Sequence, residues 1–326
     1  MHKLRIGVVG AGHLGRYHAL NYAEMTDVEL IGVTDINTER GSQVAAEAGC
    51  SFVSDLDALL ARVDGVSVAV PTDRHHAVGL RVLDTHVHCL MEKPVASSLD
   101  EADDLIRQAK EKDVVFHVGQ IERFNPALRA LEGLKIRPQF IEAHRLAPFN
   151  PRGTEVAVVL DLMIHDIDAA LYLTGHPVTD VNASGAAVVS DTIDIANARI
   201  RFANGSVANL TASRISQKAM RKLRIFQKDS YIGVDFLNKT TDVFRLGDTD
   251  PENGNIVGEM GTGQKRRNVI RFCPDIPQKQ SLRFELEAFV QAAQGKPSAG
   301  VSGEEGRTAL VVAVEVLRQI EGEIRA

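Results

Sequence analysis

No run of about 18 uncharged apolar residues occurs anywhere in the 326-residue sequence, so no ordinary membrane-spanning helix is expected. Cysteine is scarce. Cys50, Cys89 and Cys273 lie too far apart for metal or redox spacing, and inert thiols in a reduced, cytoplasmic protein are the expectation. A basic excess is missing too: 37 Lys and Arg face 43 Asp and Glu, for a net charge of −6. That balance argues against a nucleic-acid partner, and the basic stretches at Lys218–Arg224 and Lys265–Arg267 read as solvated faces. The first ten residues are broken by glycine too early for a signal peptide. Internal repeats and low-complexity tracts are also lacking.

What remains is an ordinary globular composition, 44% hydrophobic and 25% charged, in a chain long enough for two cores. Residues 1–120 alternate short apolar runs with helical stretches: Leu4–Val9, His13–Ala23, Val28–Thr34, Thr38–Ala48, Val66–Val70, His76–Leu83, Val87–Met91, a helix opened by Ser98-Leu99-Asp100-Glu101, and Val114–Val118. The Ser98…Glu101 pair is a capping-box pattern, Asp55 is placed to cap a short helix, and Gly49 to end one. This alternation predicts an α/β, doubly wound parallel sheet of the dinucleotide-binding (Rossmann) type. Residues 121–326 predict a second, α+β domain with an open, largely antiparallel sheet. Its expected strands are Gln139–Ala147, Val178–Val189, Ile193–Phe202, Ser206–Ser213, Leu223–Gln227, Tyr231–Phe236 and Thr241–Arg245, with a hairpin at Asn204-Gly205. Helices are expected at Glu155–Leu173, Leu282–Ala293 and Glu304–Ile324, and residues 238–280 give no clear pattern.

Gly10-Ala11-Gly12-His13-Leu14-Gly15 fits GxGxxG between a strand and a helix, the context in which that pattern cradles a pyrophosphate. The helix start at His13 and Leu14 offers free N–H groups and a positive dipole end to phosphates. Asp35, about 20 residues on, ends the second strand, where a carboxylate accepts from ribose hydroxyls. It favours NAD, while Arg40 leaves NADP open. Pro71, Thr72 and His75 follow a strand on the same carboxyl edge and are expected to border the cofactor, with His75 and His76 unable to face it together.

Two further segments bear chemistry. Glu92-Lys93-Pro94 follows another strand, and a lysine there can hydrogen-bond a substrate hydroxyl and stabilise the charge developing on oxygen. Asp161 and His165 stand four apart on a predicted helix, with Asp168 on the same face, whereas Asp166 points elsewhere as an ion-pairing or cap-type residue. An imidazole oriented by a carboxylate suits proton exchange with an alcohol, though a polar network satisfied within the fold would use the same residues. His86 and His88 alternate on one strand but have no third ligand, so no metal site is expected.

In this order the motifs resemble the Gfo/Idh/MocA oxidoreductases. The likeness extends through Val70-Pro71-Thr72 with His75, Arg123-Phe124-Asn125-Pro126, Phe284-Glu285-Leu286-Glu287-Ala288-Phe289 and Val301-Ser302-Gly303-Glu304-Glu305-Gly306. The resemblance implies that Lys93, His165 and Asp161 are catalytic, that Arg123, Asn125 and Asp161 bind substrate, and that Glu92 joins the cofactor-binding set. It also implies a homodimer or homotetramer built through the C-terminal sheet. The chain departs from many members in carrying Glu155-Val156-Ala157-Val158-Val159-Leu160 where they have a glycine cluster. With Arg152-Gly153-Thr154 it looks like the branch containing UDP-N-acetylglucosamine 3-dehydrogenases. The activity this implies is hydride transfer between nicotinamide and a sugar or nucleotide-sugar hydroxyl, best the 3-hydroxyl of UDP-N-acetylglucosamine. Another polyol, an aldose or a dihydrodiol is the alternative substrate, and a non-catalytic NAD-binding sensor the alternative class.

Overall fold

A computed structural model describes residues 3–151, 153–247 and 254–324, so Arg152 of the branch motif lies outside the described residues. Two compact units are present. The first comprises residues 1–121 and 280–310, the second residues 122–279 and 311–326.

In the first unit the strands are β1 (Leu4–Val9), β2 (Val28–Thr34), β3 (Ser51–Phe52), β4 (Gly65–Val68), β5 (His88–Glu92) and β6 (Phe116–Gly119). They form one parallel sheet in the order β3-β2-β1-β4-β5-β6, the doubly wound arrangement expected. Its central strands are buried on both faces, all four residues of β4 included, which explains why they read as continuous apolar runs. The connecting helices are α1 (His13–Ala23), α2 (Thr38–Glu47), α3 (Leu56–Leu60), α4 (His75–Asp84) and α5 (Leu99–Glu111). Local signals hold here. Asp55 accepts from the Ala58 N–H, and Gly49 ends α2 with φ of +67°. The capping box closes with one shift: Ser98 Oγ accepts from Glu101 N, but Glu101 reaches back to Ser97 N.

The sequence reading placed α8 (Ser281–Ala293) in the second domain, but it packs with the first unit. Leu286, Phe289 and Val290 enter the apolar cluster of Ile6, Val8, Ala19, Tyr22 and Val33. Each such burial is worth about 1.5–3 kcal/mol, and nothing in an amphipathic pattern states which sheet its apolar face will meet.

The second unit carries α6 (Pro126–Arg129), β7 (Phe140–Leu146), a π-helical turn at Val159–Met163 running into α7 (Ile164–Thr174), and eight further strands. These are β8 (Val178–Ala186), β9 (Ile195–Phe202), β10 (Val207–Ser213), β11 (Met220–Gln227), β12 (Ser230–Asp235), β13 (Thr240–Gly247), β14 (Asn255–Met260) and β15 (Arg267–Phe272). The sheet order is β14-β15-β13-β12-β11-β7-β10-β9-β8, antiparallel except where β7 pairs parallel with β10. Along β9 and β11 buried and open residues alternate, as a sheet with one covered face requires. The Asn204-Gly205 hairpin forms, with only Gly205 at positive φ, while the Asn204 side-chain Oδ1 accepts from Ser206 N and Oγ. The final helix, α9, spans Gly303–Ile324.

Candidate active site

Each glycine of the first-unit motif has a separate task. At Gly10, φ is +97° and a Cβ would lie 2.5 Å from the Ala69 carbonyl oxygen; at Gly15 it would lie 1.8 Å from that of Gly10. Gly12 has nothing within 4 Å, which leaves room for another group to approach its backbone. It precedes α1 without any side-chain cap, and His13 and Leu14 are exposed. The helix start is thus a set of N–H donors with positive potential, suited to a pyrophosphate.

Asp35 follows β2 with its carboxylate almost wholly enclosed. It accepts from Ala11 N at 2.5 Å, from Asn37 N at 2.7 Å and from Arg40 Nη2 at 2.8 and 3.0 Å. Burial works against its charge, but the two amides and the guanidinium outweigh it and hold the carboxyl below the usual carboxylate range. Arg40, half exposed, therefore sits directly on this carboxylate. Ile36, next to Asp35, is fully exposed, an apolar side chain that no sequence pattern marked.

Pro71 is exposed and Thr72 half-buried at the head of a short 3₁₀ turn. His75 opens α4. It is fully buried, with Nδ1 2.9 Å from the Pro94 carbonyl and Nε2 3.0 Å from that of Val70. His76 turns instead toward Asp104, at 3.3 Å. Lys93 is half-buried and joined to Pro94 by a cis peptide; Glu92 directs its carboxylate to His18 Nε2 at 2.9 Å.

In the second unit, Asp161 lies in the π-helical turn and His165 in the first turn of α7, both half-buried. Asp168 does not stay on their strip. It is 1% exposed and makes a bidentate pair with Arg123 at 2.7 and 2.8 Å, whose guanidinium also lies over the Tyr172 ring. Of the two roles expected for Asp166, ion pairing is the one found: Arg145 bonds it at 2.8 and 3.0 Å and Glu122 at 2.7 Å, all three buried. Burial pushes the Asp166 carboxyl up even so, while the carboxylates beside Arg145 keep that guanidinium charged against its own burial. Two ion pairs thus turn Asp166 and Asp168 inward and leave Asp161 and His165 on the open strip. Asn125 is also occupied. It caps α6 through Ala127 N and gives its amide hydrogens to Glu122 and the Phe236 carbonyl.

Sequence reasoning missed what holds the approach to Asp161. Arg214 donates to the carbonyls of Gly153 and Val156, and Asp194 gathers the Val188, Val189 and Ser190 N–H groups. A lone arginine and a lone aspartate in strand-like sequence carry no local signal for this.

A doubly wound sheet, three glycines with distinct steric roles, an uncapped helix start and a carboxylate just past β2 define a dinucleotide-binding protein. Residues 4–120 match the oxidoreductase family with NAD-binding Rossmann fold, and residues 139–230 the Gfo/Idh/MocA C-terminal domain. A UDP-N-acetylglucosamine 3-dehydrogenase from Acidithiobacillus ferrooxidans is 41% identical over 98% of this chain and 97% of its own. Its crystal structure superposes with a TM-score of 0.87 over 99% of both chains at 40% identity. A myo-inositol 2-dehydrogenase from Thermotoga maritima is 26% identical over 98% of this chain and 96% of its own. The chain belongs to the Gfo/Idh/MocA family of NAD-binding oxidoreductases. Among the described residues, no helix is long and apolar enough to cross a membrane.

Proposed function

We propose that this chain oxidises the 3-hydroxyl of UDP-N-acetylglucosamine with NAD. The observation that carries the reading is 41% identity, spread over 98% of the chain, to an enzyme of that name. The residues present fit the cofactor: the space over Gly12, the α1 N-terminus and Asp35 suit its pyrophosphate and ribose, and Arg40 offers a cation to a 2′-phosphate should NADP be used. Bound NAD supplies the hydride acceptor. The chain's own residues handle the proton and the charge. His165 takes the hydroxyl proton through its imidazole, Lys93 stabilises the developing oxyanion, and Asp161 orients the reacting alcohol. Arg123 and Asn125 shape the substrate side indirectly, through the ion pair with Asp168 and the cap of α6. The protein works in a reduced, cytoplasmic setting, which its three free cysteines suit, as a homodimer or homotetramer.

The test is to incubate the protein with NAD and a panel of nucleotide sugars and inositols while following reduced-cofactor absorbance. UDP-N-acetylglucosamine should give the highest kcat/KM, and Lys93→Met should lower kcat by orders of magnitude with NAD affinity retained. Silence across the nucleotide sugars from protein that binds NAD would rule the substrate class out.

A further inference from the structure

Lys93 stands at a place where the sheet gives out. The β4–β5 pairing ends at Val68 opposite Met91, and Glu92 pairs only with Gly119 of β6. Backbone pairing therefore supports Glu92 on one side, and Lys93 follows the strand's last residue. Side chains supply the remaining restraint. Before Lys93, the Glu92 carboxylate lies 2.9 Å from Nε2 of His18, a residue of α1 that is 1% exposed. After Lys93, the Pro94 carbonyl lies 2.9 Å from Nδ1 of fully buried His75, whose other nitrogen is 3.0 Å from the Val70 carbonyl beyond β4. A third group stands behind the first contact. Glu285 of α8, 2% exposed, belongs with His18 and Glu92 to a cluster whose nitrogen and carboxylate atoms all lie within 4.8 Å of one another.

Buried ionisable side chains are costly to keep, yet three of them from separate elements flank the lysine, His18 and Glu285 at the residue before it and His75 at the residue after it. We propose that His18, Glu285 and His75 are positioning residues that brace the Glu92–Pro94 segment from both sides and so fix the direction of the Lys93 side chain. The inference rests on the role given to Lys93 above. A misplacement of about 1 Å at a reacting group can cost 100-fold in rate, so a brace of this kind acts on turnover rather than on cofactor binding.

The test uses His18→Gln, Glu285→Gln and His75→Gln in the full chain, each alone and combined with Lys93→Met. Each single variant should lose at least tenfold in kcat while its NAD dissociation constant stays within about twofold. In the Lys93→Met background the same substitutions should cost nothing further, because the group they orient is gone. Losses that persist undiminished in that background would reduce the three to general structural residues and overturn the proposal, as would full activity in the singles. Should His18→Gln fail to fold, Glu285→Gln and His75→Gln carry the same cycle. A divalent cation is the competing occupant of the cluster: one equivalent of metal in the purified protein, lost in Glu285→Gln, also overturns it. If Lys93→Met alone is fully active, the parent reading fails; if that variant is inactive and the three Gln variants are not, only the brace fails.

Discussion

His117 sits on β6 with its ring 6.1 Å from that of Phe289 and packed so closely on Gly300 that a Cβ there would lie 2.0 Å from the imidazole. Burial drives its pKa down to about 4, and Glu305 only partly offsets that. The unfolded chain, with an ordinary value near ~6.5, takes up the proton first as pH falls. Stability from this residue is therefore complete above about pH 6.5 and drains away toward pH 4, by something on the order of 2 kcal/mol. Urea unfolding at pH 7 and pH 4.5 measures it. His117→Gln should lose less stability between the two than the parent does, and equal losses would dismiss His117 as a source of acid sensitivity. Gly300 shows how little of this was legible: a glycine in a loop before a helix gives no hint that a ring lies against it.

Helix α7 is where element-level reasoning both succeeded and slipped. That an ionisable helix lay here, and that Asp166 would point away from Asp161 and His165, followed from spacing alone. The helix start did not. Glu155–Ala157 have adequate helix propensity, yet Arg214 takes the Val156 carbonyl that a helix would offer to Leu160 N, and Leu160 N bonds Ala157 instead. The backbone enters through a π-helical turn, a form frequent at functional sites. Nor could β14 and β15 be read, because all six β14 residues are exposed and no alternation marks them. What sets the orientation of α7 is ionic: Arg145 holds Asp166, and Arg123 holds Asp168. Arg145→Met would leave Glu122 and Asp166 buried without their shared cation and should destabilise by about 3–5 kcal/mol. Combining it with Asp166→Asn should recover part of that loss in chemical denaturation. A single variant as stable as the parent would show that these charges do not anchor the helix.

At the scale of the whole molecule, the nine-stranded sheet raises the question of what its open face is for. Phe140, Phe226, Tyr231 and Phe244 sit on neighbouring strands β7, β11, β12 and β13 in direct register, with successive ring centroids 5.9, 5.2 and 5.7 Å apart. Beside that row, Glu142 and Arg224 pair at 2.8 Å and are partly exposed. A band of aromatic rings flanked by charge is the composition of an interface core with a polar rim, and a lone chain gains nothing by leaving it wet. An assembly of two or four chains through this face would bury it, and a stable contact needs roughly 800 Å² from each partner. Light scattering on the purified protein should therefore return two or four times the 35.5 kDa chain mass. Phe226→Asp combined with Tyr231→Asp puts two carboxylates in the middle of the row and should shift the species toward one chain mass, leaving NAD binding by the first unit intact. A parent protein that stays monomeric at tens of micromolar, or a double variant that assembles as well as the parent, would mean that the sheet face serves something other than self-association.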